Sequence, residues 1–299
     1  MTKLSVARKF DSHRKRFFFR FPEFLHCIKL KHTVVKRLCR LAYGEIFRAH
    51  CLKALVFILG AGIFTSSILT ACSRETYDDC FSNTGPQITR DRPSGGFNKI
   101  ELYDNVNLVI IPGTTSKITV EAGEHILDAL TTEISDSTLV IHNTMTCNWV
   151  RNYDKELTVY ATVPDLTSIR YEGSGDIRTE GQLTTDSLRI SVWGGAGTFN
   201  LNLDVTKLNM ALHYGTVDFH VSGKSLITTI FSNSYGPFYC DSLISNIVYI
   251  RSSGSNNCYV RAVHVLEAEI TSVGDIYYSG NPYQVSQHIS GSGKLIKTE

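Results

Sequence analysis

The chain has 299 residues, 42% of them hydrophobic and 10% aromatic, with 30 Lys/Arg against 28 Asp/Glu. The charge is unevenly placed: 14 basic and 3 acidic residues fall in positions 1–53, so residues 72–299 carry 16 against 25, a net charge near −9. An acidic body repels phosphate backbones and anionic headgroups, which argues against nucleic acid as a partner and against membrane binding through surface charge.

In chain order, a basic leader containing Arg14-Lys15-Arg16 and Lys36-Arg37 is followed by Lys53, an apolar run from Ala54 to Leu69, and then Leu69-Thr70-Ala71-Cys72. A short basic flank, an apolar core of this length and small residues ahead of a cut form the pattern of a secretory signal peptide. A Cys just after the cut resembles a bacterial lipobox. The run falls short of the roughly 18 to 20 apolar residues that spanning needs, and Gly60, Gly62, Thr65, Ser66 and Ser67 interrupt it. Residues 1–71 are therefore expected to be a basic leader and lipoprotein signal peptide, with Cys72 the lipidated first residue of the mature chain. The expected location is the cell envelope, as an outer-membrane lipoprotein facing the periplasm or the surface, and the membrane is reached through the lipid anchor. The stretch before Lys53 is long for such a signal. It is either a leader held on the cytoplasmic side or the product of initiation upstream of a true start at Leu52, which is the favoured account.

Residues 72–96 are polar, with Glu75, Asp78, Asp79, Pro86, Pro93, Gly95 and Gly96, and read as a flexible tether. Residues 97–164 are expected to form an N-terminal β cap. Apolar side chains alternate at period two in Ile100-Leu102, Val106-Leu108-Ile110, Ile118-Val120, Leu139-Ile141 and Leu157-Val159-Ala161, with turns at Pro112-Gly113 and Asp136-Ser137. Only Glu124 to Leu130 has a briefly helical pattern.

From residue 165 to 299 a fixed period takes over. Aligning the glycine-rich corners places an apolar residue at Ile177, Phe199, Phe219, Phe238, Cys258, Ile276 and Leu295, with spacings of 22, 20, 19, 20, 18 and 19. Each corner follows an alternating strand such as Leu188-Ile190-Val192 or Leu208-Met210-Leu212. A repeat near twenty residues cannot bury its own apolar face and must stack on its neighbours. The predicted class is all-β, a parallel β-helix or β-solenoid of about seven rungs.

Phe97-Asn98-Lys99-Ile100, Asp104-Asn105-Val106, Gly173-Ser174-Gly175-Asp176, Tyr278-Ser279-Gly280-Asn281-Pro282 and Gly291-Ser292-Gly293-Lys294, in that order, resemble the putative auto-transporter adhesin head GIN domain common in Bacteroidetes lipoproteins. The resemblance covers roughly Arg90 to Glu299 and implies a right-handed parallel β-helix without an established catalytic activity. The Gly-Ser-Gly-Asp corner is intact only at 173–176 and eroded at 233–237 and 254–257, so distortion is expected in the middle rungs.

Asp176, Asp218 and Asp275 share one corner position. At about 4.8 Å per stacked strand the first two would lie roughly 10 Å apart and the third about 14 Å further on. Glycosidase carboxyls need about 5 Å, or about 6.5 to 9.5 Å, so turn formation is the expected role. Gly223-Lys224-Ser225 lacks the upstream glycine of a P-loop, since Asp218 stands there. His125, His142, His213, His220, His264 and His288 are scattered, and none of the cysteines has C-x2-C spacing. No catalytic residue, cofactor or metal is expected.

Cys80, Cys147, Cys240 and Cys258 remain after the leader and the anchor. Cys240 and Cys258 should both face inward but diagonally, with Cβ atoms about 7 to 8 Å apart, and stay as buried thiols. One constellation points to binding. Tyr239, Tyr259 and Tyr277 each follow an inward corner residue, so alternation turns all three outward. Such a row is either a stabilising stack or a face for a glycan or a surface protein. The expected function is a non-catalytic binding or adhesion module of the cell envelope, against a polysaccharide-active β-helix enzyme or a purely structural envelope module.

Overall fold

The computed structural model describes residues 83–145 and 156–298, all within one compact unit spanning Arg74–Glu299. The leader, the signal segment, Cys72, Cys80, Cys147 and the start of the tether lie outside the described residues. No helix among the described residues is long and apolar enough to cross a membrane.

The strands in chain order are β1 (Gln87–Arg92), β2 (Lys99–Asp104), β3 (Asn107–Pro112), β4 (Lys117–Gly123), β5 (Leu130–Ser135), β6 (Thr138–Asn143), β7 (Thr158–Val163), β8 (Ser168–Gly173), β9 (Ile177–Thr179), β10 (Leu183–Leu212), β11 (Thr216–Ser232), β12 (Phe238–Ser252), β13 (Cys258–Ile270), β14 (Ile276–Ser279), β15 (Gln284–Ile289) and β16 (Leu295–Lys297). A single 3-10 turn at Leu127–Ala129 stands where the helical pattern was read.

From β8 onward the strands wind as a β-solenoid of about six turns. The seven corner positions predicted from the period fall in register: Ile177, Phe199, Phe219, Phe238, Cys258, Ile276 and Leu295 are successive parallel partners. The first six are fully buried. Tyr171, Phe199, Phe219 and Phe238 continue as an internal aromatic stack, with centroids 5.1, 5.0 and 4.4 Å apart. Burying each such ring contributes roughly 1.5 to 3 kcal/mol. In the eroded middle turns the core turns partly polar. Ser232 and Ser252 are buried register partners, and the Thr228 and Ser245 hydroxyls bond at 2.8 Å. The ladder slips between His220 and Gly223, between Cys240 and Ile244, and between Ser245 and Ile247. The distortion expected there is thus present, but in the arms of the strands rather than at the corners.

Two features of the N-terminal part differ from the sequence reading. The tether expected over residues 72–96 is corrected at Gln87–Arg92, which is strand β1, antiparallel to β4. Among the described residues it pairs on one side only, and it carries polar residues on both faces, so no apolar alternation marks it. The segment expected as a cap, 97–164, also divides. β2 and β3 pair in parallel with β8 and β9, and β6 and β7 pair in parallel with β2 and β3, so these four strands are solenoid layers themselves. The antiparallel strands β5, β4 and β1 close the free edges beyond them. The chain therefore lays down its second layer before its first.

At the corners the backbones of successive turns nearly touch. A Cβ on Gly195, where φ is +107°, would fall inside the Gly173 carbonyl oxygen, 2.7 Å from its carbon and 2.9 Å from the Gly173 nitrogen. Only glycine accepts both that φ and that approach.

Candidate functional site

Alternation fixes which side chains leave the solenoid at the corner. With Phe238, Cys258 and Ile276 inward, Tyr239, Tyr259 and Tyr277 are in-register partners on the outside. Their centroids lie 5.4 and 5.0 Å apart, with planes inclined by 15° and 13°. Aromatic atoms in contact sit about 3.5 to 4 Å apart, so these rings are offset like roof tiles rather than sandwiched. The Tyr277 hydroxyl donates to Asp275 Oδ2 at 3.5 Å. Tyr239 is 36% exposed. Dehydration beside Asp275 and Tyr259 pushes the Tyr277 phenol above its ordinary pKa.

The row is longer than the three tyrosines. His220 stacks on Tyr239 at 4.7 Å and 20°, and Asn200 and Arg178 precede it in register. Val109 and Tyr160 complete the row at the N-terminal end. His220 was legible in principle, since it follows Phe219 as each tyrosine follows its own corner residue. From Tyr160 to Tyr277 the row makes seven register steps, about 34 Å.

Two concavities flank this row. A groove of about 510 Å³ runs beside His220 and Tyr239, lined by Thr179, Asn200, Asn202, Ser222, Asp241 and Ser242. Near Tyr160 a cleft of about 290 Å³ is lined by Glu121, Glu156, Asp176 and Arg178. The cleft carboxylates are engaged structurally: Tyr160 Oη donates to Glu121 at 2.7 Å, Asn107 Nδ2 donates to Glu156 at 2.9 Å, and the Thr198 amide donates to Asp176 at 2.7 Å. The Glu121 bond is the chief cause of a raised Tyr160 pKa.

The corner aspartates tie one turn to the next. Asp176 Oδ1 accepts the Thr198 N–H, and Asp275 Oδ1 accepts the Lys294 N–H, both at 2.7 Å. Their own amides are held by Asn107 Oδ1 at 2.9 Å and Asn257 Oδ1 at 3.0 Å. Asp218 makes no such bond among the described residues. Cys240 lies opposite Val260, and Cys258 opposite Phe238, the diagonal offset expected; both are buried thiols. Burial pushes Cys258 up to about 12 and Cys240 well above the ordinary thiol range.

The sequence reading missed a second row of planar groups on another face. Trp193, 43% exposed, stacks on His213 at 3.9 Å, and His213 leans on Phe231 at 5.6 Å. The Arg170 guanidinium lies 5.6 Å from the Trp193 ring. Burial lowers the His213 pKa. Alternation after the inward Leu188, Ile190 and Val192 already turns Trp193 outward, and what counting does not give is its stack on His213, because the ladder shifts register between Val192 and Gly194. Among the described residues no cluster of His, Cys, Asp and Glu is arranged to hold a metal ion.

Several solved structures are similar to this chain. A putative adhesin from Bacteroides fragilis is 27% identical with a TM-score of 0.65, and the match covers 71% of this chain and 97% of that one. A putative adhesin and a putative lipid binding protein from Parabacteroides distasonis are 16% and 19% identical, with TM-scores of 0.56 and 0.55; each match covers 72% of this chain and 98% of theirs. These two show the fold alone. Among curated proteins no relative is found. With residues 96–282 matching throughout, the chain belongs to the family described as putative auto-transporter adhesin, head GIN domain.

Proposed function

We propose that this protein is a cell-envelope lipoprotein, anchored through Cys72, whose solenoid is a non-catalytic binding or adhesion module for an elongated ligand, a glycan chain or an extended segment of a surface protein. The observation that carries the reading is the straight outward row from Arg178 through Asn200 and His220 to Tyr239, Tyr259 and Tyr277, with a groove of amide, hydroxyl and carboxylate groups along its middle. Aromatic tiles supply apolar contact and the groove supplies orienting hydrogen bonds, the combination that small numbers of well-placed polar groups provide in ligand sites. A rigid scaffold holds the row straight, so a ligand with a matching axial repeat meets equivalent groups at each step. Membership of an adhesin family and the acidic charge of the exported part support an envelope role that does not depend on nucleic acid.

Glycan-array binding of residues 73–299, repeated with Tyr259→Ala, tests the reading. A signal in the parent that is lost in the variant supports the tyrosine row. Binding that survives the substitution removes the row from the site, and no binding on glycan or surface-protein arrays leaves a structural module ahead. Anchoring is tested separately: Cys72→Ala should abolish incorporation of labelled fatty acid and move the protein from the detergent phase to the aqueous phase.

A further inference from the structure

We infer that the strand face carrying Tyr249 holds a second ligand site, distinct from the corner row and selective for an alkylammonium cation. The site lies in a cavity of about 650 Å³ formed on the outer surface of β11, β12, β13 and β15. Two outward rows cross it. Thr229, Tyr249, Glu267 and Ser286 are successive register partners in one, and Phe231, Arg251, Glu269 and His288 in the other.

The first row differs from the tyrosine tiles in one decisive respect. Tyr249 has Thr229 on one side and Glu267 on the other, and no aromatic ring stacks on it among the described residues. No other ring covers its π faces, and the residue is 40% exposed. The small side chains of Thr229 and Ser286 leave the space that forms the cavity. The Glu267 carboxylate, one register step from Tyr249, makes no ion pair or hydrogen bond with any described residue. Arg251, the one fixed cation lining the cavity, is engaged by Glu269, with Nε 3.5 Å from Oε2. His288 stands at the far rim of the same row.

An open tyrosine face beside an unpaired carboxylate is complementary to a group that is both cationic and partly apolar. The ring quadrupole attracts the cation, and the carboxylate supplies the counter-charge. A hydrated metal ion would gain little from the ring, and an anion would be repelled by Glu267. A primary or methylated alkylammonium satisfies both partners. Its source is either a lysine side chain of a bound protein or a sugar bearing a free amine.

The test is a titration of residues 73–299 with choline, Nα-acetyl-lysine amide and glucosamine, read by NMR shifts of the Tyr249 ring, with 3,3-dimethylbutanol, the uncharged isostere of choline, as control. The expected result is saturable binding of at least one cation, weakened about fivefold or more by Tyr249→Leu and by the isosteric Glu267→Gln, and unchanged by Tyr259→Ala. Saturation by the lysine derivative alone assigns a protein source, and saturation by glucosamine alone assigns an amino sugar. The inference is overturned if no cation saturates, if the neutral isostere binds equally well, or if neither variant weakens binding. Because Glu267→Gln preserves shape at an exposed position, its outcome stands even if Tyr249→Leu perturbs the fold. Insensitivity to Tyr259→Ala keeps the result separate from the fate of the corner row.

Discussion

Gly194 and Gly195 are neighbours in the sequence but occupy opposite situations, which makes them an internal control for the corner mechanism. A Cβ on Gly194 meets nothing within 4 Å. A Cβ on Gly195 overlaps the Gly173 carbonyl of the turn below, and both nearby atoms at 2.7 and 2.9 Å are backbone, which cannot rotate away. The φ of +107° adds strain for any L side chain. Strained backbone of this kind costs about 1 to 3 kcal/mol, and forcing extra atoms into a packed contact costs about 1 to 3 kcal/mol more. Gly195→Ala should therefore lose about 3 to 5 kcal/mol, summing those two effects near their centres. Gly194→Ala should be neutral or gain up to about 1 kcal/mol through the unfolded chain. Urea unfolding followed by the fluorescence of Trp193, with circular dichroism as a second probe, measures both. Equal midpoints for the two variants, within about 0.5 kcal/mol, would refute the claim that inter-turn contact at Gly195 sets the corner geometry.

Other consequences follow from the same coordinates. Tyr171 is fully buried and its hydroxyl reaches the carbonyl oxygens of Gly175, at 2.7 Å, and Ala196, so Tyr171→Phe should cost about 1 to 3 kcal/mol in denaturant unfolding by leaving them without that donor. The folded state lowers the pKa of His213 below its unfolded value, so the unfolded chain takes up this proton first as the pH falls. The His213 contribution should be constant above about pH 6.5 and be lost as the pH drops below it, so His213→Gln should flatten the stability profile between about pH 5 and 7. Cys240 and Cys258, buried and with thiol pKa values raised, should resist iodoacetamide at pH 8 in the folded protein and react fully in urea. Rapid labelling of the native protein would show that these turns open.

The solenoid part of the fold was legible because every turn repeats the same local chemistry. Glycine is needed wherever one backbone passes close over another, an apolar residue follows where the chain re-enters the core, and alternation then assigns Tyr239, Tyr259 and Tyr277 to the outside. Those three statements require only neighbours in the sequence, and the register of all seven corner residues agrees with them. The diagonal placement of Cys240 and Cys258 follows from the same counting. Where the local signal stops, so did the reading. β1 is a polar strand whose one partner among the described residues, β4, supplies its hydrogen bonds, and nothing within Gln87–Arg92 announces that pairing.

The amino-acid sequence alone therefore determined the period, the inward and outward faces and the family. Tertiary structure decided the order of the first layers, since β6 and β7 stack beneath β2 and β3 although they follow them in the chain. It also decided which rings are covered and which are open. The tyrosine tiles shield one another because planar rings follow one another at consecutive steps from His220 to Tyr277. Tyr249 stays open because its register partners, supplied by strands β11 and β13, happen to be Thr229 and Glu267. Periodicity is a property of the chain with itself over about twenty residues, whereas a partner across the sheet is chosen by the packing of the whole solenoid, and that choice is written in no single segment.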